Sequence, residues 1–273
     1  MDATLRFGLV PVHDDVETHR AIDALAVALS NGLGCACTPV RCGSPRDLAN
    51  RFLRGEVDIA WSSPTLALTE LRDAVPLVTS VRQGVAYYHG VLFVRQDSDI
   101  KSLLDARGRT VGWVAETSAS GYLFARVALA SMGFAPDSFF CDERFAGSHG
   151  AVAEAVASGE ADVGATFAVF EEGDATRPLL RAGFAEDLPE DGFRILFCTP
   201  PIPSDLLVAS KSAMDEYGPF LREAVLALAA RAPDALKAVL GADEFMACRP
   251  RFFEQLRIQL EDARILGVLP ETS

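Results

Sequence analysis

The chain has 273 residues, of which 49% are hydrophobic and 23% charged, a composition typical of one large globular domain or two medium lobes. Its net charge of −13 argues against a nucleic-acid partner, because such a partner requires a basic surface. No stretch reaches the roughly 18 consecutive apolar residues of a transmembrane helix, so we expect no membrane-spanning segment.

The first part of the chain alternates between strand-like and helix-like patterns. We predict a strand over 5–10, a helix over 18–31, a strand over 35–41, a helix over 45–55, a strand over 57–61 and a helix opening at Pro64. In the first helix, Ile22, Leu25 and Leu29 share one face at helical spacing. This order of elements predicts a parallel sheet with right-handed crossovers.

A similar alternation follows in the rest of the chain. We predict strands over 76–81, 91–95, 110–114, 161–165 and 193–198, and helices at 103–104 and over 118–132, 152–158, 219–230, 233–240 and 252–266. The segments 55–60 and 159–164 are similar: each has a Gly-Glu turn and a short buried strand, and each follows a predicted helix, which fits two similar α/β lobes. The strands 91–95 and 194–198 would link these lobes as hinges, with ligand bound between the lobes.

Two short segments, 116–122 and 146–151, place serine and glycine at predicted helix starts. A helix N-terminus presents unpaired N–H groups and the positive end of the helix dipole, so added hydroxyls make a site for an oxyanion. The alternative for each segment is plain N-capping. No nucleophile–base pair is evident, which favours capture of a small anion over chemistry on it.

Six short sequence motifs, spread over nearly the whole chain, follow one another in the order typical of a known family. They are Arg6-Phe-Gly-Leu-Val-Pro11, Gly55-Glu-Val-Asp-Ile-Ala-Trp-Ser-Ser-Pro64, Tyr88-His-Gly-Val-Leu-Phe-Val-Arg95, Ser118-Ala-Ser-Gly-Tyr-Leu-Phe124, Gly147-Ser-His149 and Pro200-Pro-Ile-Pro203. Together they resemble the substrate-binding components of phosphate/phosphite/phosphonate ABC transporters, the phosphonate-binding-protein-like branch of the type 2 periplasmic binding proteins. The chain departs from the family pattern at Ala119, usually threonine, at Gly150, usually aspartate, and at 115–116, usually Asp-Pro.

The resemblance implies an α/β, bilobal type 2 periplasmic binding protein fold, with two doubly wound α/β lobes joined by two hinge strands. We place lobe 1 at 1–93 plus 196–273 and lobe 2 at 94–195, with the ligand cleft between them. The implied function is capture of a small oxyanion, such as a phosphonate, phosphite or phosphate ester, for ABC transport. The implied partners are that small-molecule anion and an ABC permease.

Twelve residues are candidates for ligand binding. They are Ser118, Ala119, Ser120, Gly121, Ser148 and His149 in lobe 2, and Trp61, Ser62, Ser63, Tyr87, Tyr88 and His89 in lobe 1. The serines would donate hydroxyl hydrogen bonds, together with the backbone N–H groups of Ser120 and Gly121. A bound anion would favour the protonated form of His149. Trp61 would pack on the ligand or in the core, and by strand alternation one of Tyr87 and Tyr88 would face the cleft.

Two other functions stay open. A ligand sensor without transport, feeding a sensor kinase, is favoured by the lack of a visible signal peptide and by the expectation that the cysteines are free. A cytosolic enzyme on the same fold would have to use His149, His89 or Cys198, none of which has an evident orienting partner.

We expect no catalytic residue, metal or cofactor, and a monomer. The location would be periplasmic or otherwise extracytoplasmic if Met1 is not native, and cytoplasmic otherwise. For the six cysteines we expect mostly buried free thiols, with a Cys35–Cys42 disulfide as the alternative.

Overall fold

Strands and helices alternate along most of the chain in the computed structural model, which describes residues 4–71, 73–265 and 267–269. The strands are β1 (Thr4–Leu9), β2 (Ala36–Arg41), β3 (Ile59–Ser62), β4 (Val75–Val81), β5 (Tyr87–Arg95), β6 (Thr110–Trp113), β7 (Asp142–Phe145), β8 (Val163–Phe170), β9 (Leu179–Ala182), β10 (Phe193–Cys198), β11 (Ile202–Pro203), β12 (Leu206–Ala209) and β13 (Glu244–Ala247). The α-helices are α1 (Val16–Leu33), α2 (Pro45–Leu53), α3 (Pro64–Thr69), α4 (Phe124–Ser131), α5 (Pro136–Phe139), α6 (His149–Ser158), α7 (Lys211–Leu226), α8 (Leu228–Arg231), α9 (Pro233–Leu240) and α10 (Pro250–Ile265).

The chain divides into two units, each built on its own sheet. The first unit is Met1–Ala86 with Pro203–Arg257, and the second is Tyr87–Ile202 with Ile258–Ser273. Both combine α-helices with an open mixed sheet, which agrees with the α/β fold class expected from the sequence. None of the helices within the described residues has the length and apolar character that a membrane crossing requires.

The sheet of the first unit has the order β13-β4-β12-β3-β1-β2. β1 runs parallel to β2 and β3, which confirms the parallel start predicted from the alternating pattern. Helix α1 is capped by Asp15, whose side chain accepts the N–H of Thr18 at 2.7 Å. Its residues Ile22, Leu25 and Leu29 are fully buried, so the predicted apolar face is the one that packs in the core.

The sheet of the second unit has the order β10-β5-β8-β6-β7, with β9 beside β8. β6 runs parallel to β7 and β8, whereas β5 is antiparallel to β8 and β10. Its core includes Phe93, Phe184 and Phe193, whose ring centroids lie 5.0 to 5.4 Å apart. A Cβ atom at Gly164 would lie 2.5 Å from the Phe93 ring, so only glycine allows this ring to sit against β8.

The limits of the two compact units differ from the lobe limits expected from the sequence. The expected limits at 93/94 and 195/196 lie inside the second unit, because β5 pairs with β8 and β10 along most of its length. The end of the chain also belongs to the second unit rather than to the first. Arg126 Nε donates to the carbonyl oxygen of Val268 at 3.0 Å, which ties this segment to α4.

Several predicted elements start or end elsewhere. The helix predicted over 219–230 does begin at Pro219, after a kink at Gly218 (φ 50°, ψ −131°), but a further helical segment that starts at Lys211 and is capped by Ser210 precedes it. β5 extends the predicted strand 91–95 back to Tyr87, and β8 extends the predicted strand 161–165 to Phe170. The sequence pattern predicts none of the strands β7, β9, β11, β12 and β13. All six cysteines are free, so the Cys35–Cys42 disulfide does not form.

An ion network centred on the buried Arg126 lies within the second unit. The Arg126 side chain is 5% exposed, and its Nη1 lies 3.2 Å from both carboxylate oxygens of Glu143. Its Nη2 pairs with Asp137, and its guanidinium lies over the ring of Tyr122 at 5.2 Å from the centroid. The same Glu143 accepts the indole N–H of Trp113 at 2.8 Å. One arginine therefore connects α4, α5, β7 and the C-terminal segment.

The substitution Arg126→Met should lower the free energy of unfolding by about 3 kcal/mol, because it leaves Glu143 partly buried without its cation. The matched control is Arg144→Met, which removes a pair with Asp142 whose arginine is 56% exposed and should change stability little. Urea unfolding of both variants makes the comparison. Equal losses for the two variants would contradict the assigned role of Arg126.

Candidate anion-binding site

The two serine segments begin at the same edge of the second sheet. β6 and β7 are parallel, with Trp113 opposite Phe145, and the segments 116–122 and 146–151 follow the ends of these strands. Val114 bonds to both segments: its N–H donates to Gly121 O at 3.2 Å, and its carbonyl accepts the N–H of Gly147 at 2.8 Å. The segments thus meet at the carboxyl ends of parallel strands, where open α/β sheets bind ligands.

The first segment opens α4 through a π-helical turn, Ala119–Leu123. Leu123 N–H bonds to the carbonyl of Ser118 at 2.9 Å, a spacing of five residues that often marks a functional site. Ser118 Oγ accepts the N–H of Gly121 at 3.1 Å, which leaves its own proton free to donate. Ser120 is 4% exposed, and its hydroxyl has no hydrogen bond within the described part of the chain. Ala119 is half-buried and adds no hydroxyl.

Two glycines allow this turn to pack closely. A Cβ atom at Gly121 would lie 2.4 Å from Cγ2 of Val114, and one at Gly90 would lie 2.8 Å from the carbonyl oxygen of Ser120. Both distances are shorter than real Cβ contacts, so a side chain at either position would displace the turn. Gly121 therefore matters for its small size, whereas its N–H group, expected from the sequence to face a ligand, donates to Ser118 Oγ.

The second segment opens α6. Ser148 is exposed, and its Oγ caps the helix by accepting the N–H of Ala151 at 3.1 Å. His149 is half-buried, with Nδ1 2.8 Å from Thr166 Oγ1 and its ring edge-on to Phe167 at 5.0 Å. Burial lowers the pKa of His149. In the chain without ligand the neutral imidazole is thus favoured, whereas the protonated form expected from the sequence applies only beside a bound anion.

His89 has a structural environment rather than an open one. It is 4% exposed, with Nδ1 2.7 Å from the carbonyl oxygen of Thr199 and Nε2 3.1 Å from that of Gly173. Both ring nitrogens face main-chain oxygens, so neither is open to a ligand in this conformation. Tyr87 and Tyr88 precede it in β5, and both are half-buried.

The segment 61–63 lies in the first unit, at the end of β3. Trp61 packs on Phe245 with ring centroids 6.2 Å apart, which favours the core-packing alternative weighed for this residue. Ser62 is 3% exposed and donates to the carbonyl of Ser63 at 3.0 Å. Ser63 is exposed, and its Oγ caps α3 by accepting the N–H of Leu66 at 3.3 Å.

Three residues around the site were not identified from the sequence. Val114 follows β6 and contacts both serine segments through its main chain, Thr166 bonds to His149, and a Cβ atom at Gly183 would lie 2.2 Å from Thr166 Oγ1. Thr166 is a single polar residue in an apolar strand, a signal that could have drawn attention to it. Main-chain contacts such as those of Val114 leave no signal in a sequence.

Within the part of the chain that the structure describes, the residues considered for catalysis have structural surroundings. The described residues hold no group of three or more His, Cys, Asp or Glu side chains that could bind a metal ion. Burial raises the pKa of the Cys198 thiol, which disfavours the thiolate. Of the three residues considered for catalysis, His89 is occupied by carbonyls, and His149 is oriented by a hydroxyl rather than by a carboxylate.

Residues 7–250 match the family model for the periplasmic substrate-binding proteins of phosphonate ABC transporters. The chain belongs to this family. Its members are substrate-binding proteins rather than enzymes, and membership implies a small-molecule ligand, a permease partner and an extracytoplasmic location. No curated protein sequence matches the chain significantly.

Solved structures share the fold at low sequence identity. XAC2383 from Xanthomonas citri, bound to ATP, has a TM-score of 0.73 at 23% identity over 96% of this chain and 98% of its own. PhnD1 from Prochlorococcus marinus, in complex with methylphosphonate, has a TM-score of 0.60 at 17% identity over 98% and 100%. The aliphatic sulphonate binding protein SsuA from Escherichia coli has a TM-score of 0.61 at 13% identity over 98% and 89%. These similarities establish the type 2 periplasmic binding protein fold.

The substitution Gly90→Ala should lower the free energy of unfolding by about 1–3 kcal/mol, because its Cβ would press on the carbonyl of Ser120. Gly192→Ala in the same unit is the control, since a Cβ there would meet nothing within 4 Å. Urea unfolding measures both variants. A Gly90→Ala protein as stable as the control would mean that the turn is not tightly packed.

Acid should destabilise the protein partly through His149. Because its folded pKa is lowered, the unfolded chain takes up a proton as pH falls through about 6.5 while the folded chain resists it, so stability falls below that pH and is unaffected above it. The variant His149→Gln should lose less stability than wild type between about pH 7.5 and pH 5. His13→Gln, at an exposed position, is the control and should follow wild type, as measured by thermal unfolding at each pH. An equal acid loss in wild type and His149→Gln would contradict this assignment.

Proposed function

We propose that the second unit binds a small phosphorus oxyanion, such as a phosphonate, phosphite or phosphate ester, at the segments 118–121 and 148–149. The ligand would then pass to an ABC permease outside the cytoplasm. The observation that carries this proposal is the junction at Val114, which brings the two serine-capped helix starts to the end of one strand pair.

The available donors suit a tetrahedral anion. Ser118 and Ser148 each accept a cap hydrogen bond through oxygen and retain a proton to donate. The N–H groups in the first turn of each helix have no intrahelical partner, and the helix dipole favours negative charge there. With a net charge of −13 the protein does not attract anions at long range, so local donors must supply the affinity.

The ligands named for structural neighbours support an oxyanion without choosing one. Methylphosphonate, ATP and an aliphatic sulphonate all end in a phosphorus or sulfur oxyanion. At Ala119 this chain lacks the hydroxyl that the family usually has, and at Gly150 it lacks a carboxylate. We therefore take a phosphonate as the first candidate and expect these two positions to shift the preference among related anions.

Thermal unfolding with a panel of anions tests the proposal. The panel contains methylphosphonate, 2-aminoethylphosphonate, phosphite, phosphate, sulfate and ATP. A ligand at about 100 times its Kd should add about 2.7 kcal/mol, which raises Tm by roughly 2–4 °C per kcal/mol for a chain of this size. A rise with one or more phosphorus oxyanions is expected. No rise with any panel member would overturn the proposal.

Paired serine variants separate binding from capping. Ser118→Ala should lose about 1 kcal/mol of stability through the lost cap, and it should also bind the active anion about tenfold more weakly. Ser44→Ala removes an equivalent cap from α2 in the first unit and should lose stability without losing affinity. Isothermal titration calorimetry gives both affinities, and equal Kd values for the two variants would argue against Ser118 as a ligand donor.

A further inference from the structure

Thr166 has a buried side-chain hydroxyl that contacts the imidazole of His149. Thr166 lies in β8 and is fully buried, and its Oγ1 is 2.8 Å from Nδ1 of His149. This is the hydroxyl's one hydrogen bond within the described residues. The other ring nitrogen of His149, Nε2, has no protein partner there, and the side chain is half-buried at the start of α6.

The direction of this hydrogen bond decides the tautomer of His149. If Nδ1 carried the proton and donated to Thr166, the buried threonine O–H would have no acceptor among the described residues. An unpaired buried donor is costly. If the threonine donates instead, its proton is satisfied and Nδ1 is the acceptor. The neutral imidazole then carries its proton on Nε2, the nitrogen that is open.

We propose that Thr166 is a positioning residue that holds His149 as the neutral tautomer with its proton on Nε2, ready to donate to the bound anion. The inference rests on the proposed function, since it assigns a role to one donor of that site. It means that anion binding needs no proton uptake by His149, in contrast to the protonated form expected from the sequence.

The packing around His149 keeps this arrangement in place. A Cβ atom at Gly183 would lie 2.2 Å from Thr166 Oγ1 and 3.0 Å from Cβ of His149, so glycine is required where β9 ends. Phe167 meets the imidazole edge-on at 5.0 Å. These contacts restrict the ring, so its two nitrogens cannot readily exchange places.

The charged groups nearby come from three elements. The guanidinium of Arg181, in β9, lies 5.2 Å from the ring centroid of Phe167, the ring that packs edge-on against His149. The carboxylate of Asp187, from the loop after β9, lies 3.1 Å from where a Cβ of Gly150 would be. Glu154, further along α6, is exposed. Neither carboxylate has a hydrogen bond to the imidazole in the described residues, so the hydroxyl of Thr166 is the group that sets its proton position.

Nitrogen-15 NMR of the histidine side chains in the ligand-free protein tests the tautomer directly. At about pH 7.5 the signals of His149, assigned with His149→Gln, should show a neutral ring protonated at Nε2. Thr166→Ser keeps the hydroxyl and should keep this pattern, whereas Thr166→Val should move it towards a mixture of tautomers. A wild-type ring protonated at Nδ1, or at both nitrogens, would overturn the inference whatever the variants do.

Calorimetry with methylphosphonate, or whichever panel anion binds best, gives the second readout. Thr166→Val should weaken binding about tenfold, and Thr166→Ser should restore it to near wild type. Thr79→Val is the matched control, because Thr79 is also fully buried and its hydroxyl bonds to the carbonyl of Ser204 at 3.2 Å in the first unit. It should lose stability without losing affinity.

The two proposals can fail separately. If no panel anion binds, the proposed function fails, and the NMR measurement still decides the tautomer. If an anion binds and Thr166→Val binds it as tightly as wild type, the positioning role fails while the function stands. Equally weak binding by the Thr166→Ser and Thr166→Val variants would also contradict the role of the hydroxyl.

Discussion

The main chain of Val114 is the contact on which the candidate site depends. Its N–H and C=O bond to Gly121 and Gly147, one in each serine segment, and this is possible because β6 and β7 align Trp113 with Phe145. A shift of one residue in that register would turn the side chains of β7 to the opposite face and move Gly147 away from Val114. This register brings two capping serines to one edge of the sheet, which is the basis of the proposed site.

The site is built from small residues and neutral dipoles. Gly90 lets β5 approach the carbonyl oxygen of Ser120, Gly121 leaves room for the side chain of Val114, and Gly183 leaves room for Thr166 Oγ1. No lysine or arginine among the described contacts pairs with Ser118, Ser120 or Ser148, and burial favours the neutral form of His149. Such a site binds an anion through hydrogen bonds whose strength increases when water is excluded. This suits a protein whose overall charge repels anions.

The sequence predicted most of the fold and the helix starts at the two serine segments, but not the contacts that join these segments. Regular apolar spacing and clear caps identified α1, α2 and the parallel strands β1 to β3. β12 has four residues and β7 reads Asp-Glu-Arg-Phe, so neither carries the alternation that marks a strand, and pairing with neighbours forms both. Ser118 and Ser148 were recognisable as helix caps. The occupied nitrogens of His89 and the Thr166–His149 bond arise from contacts between residues distant in sequence, which local patterns do not encode.

The most direct test of the account is a two-dimensional amide NMR titration with methylphosphonate. The account predicts the largest shifts at the N–H groups of Ala119, Ser120, His149 and Gly150, moving together with one Kd, while the capped start of α2 after Ser44 stays unchanged. Shifts confined to one serine segment, or shifts elsewhere with both segments silent, would contradict the claim that the two segments form one anion site.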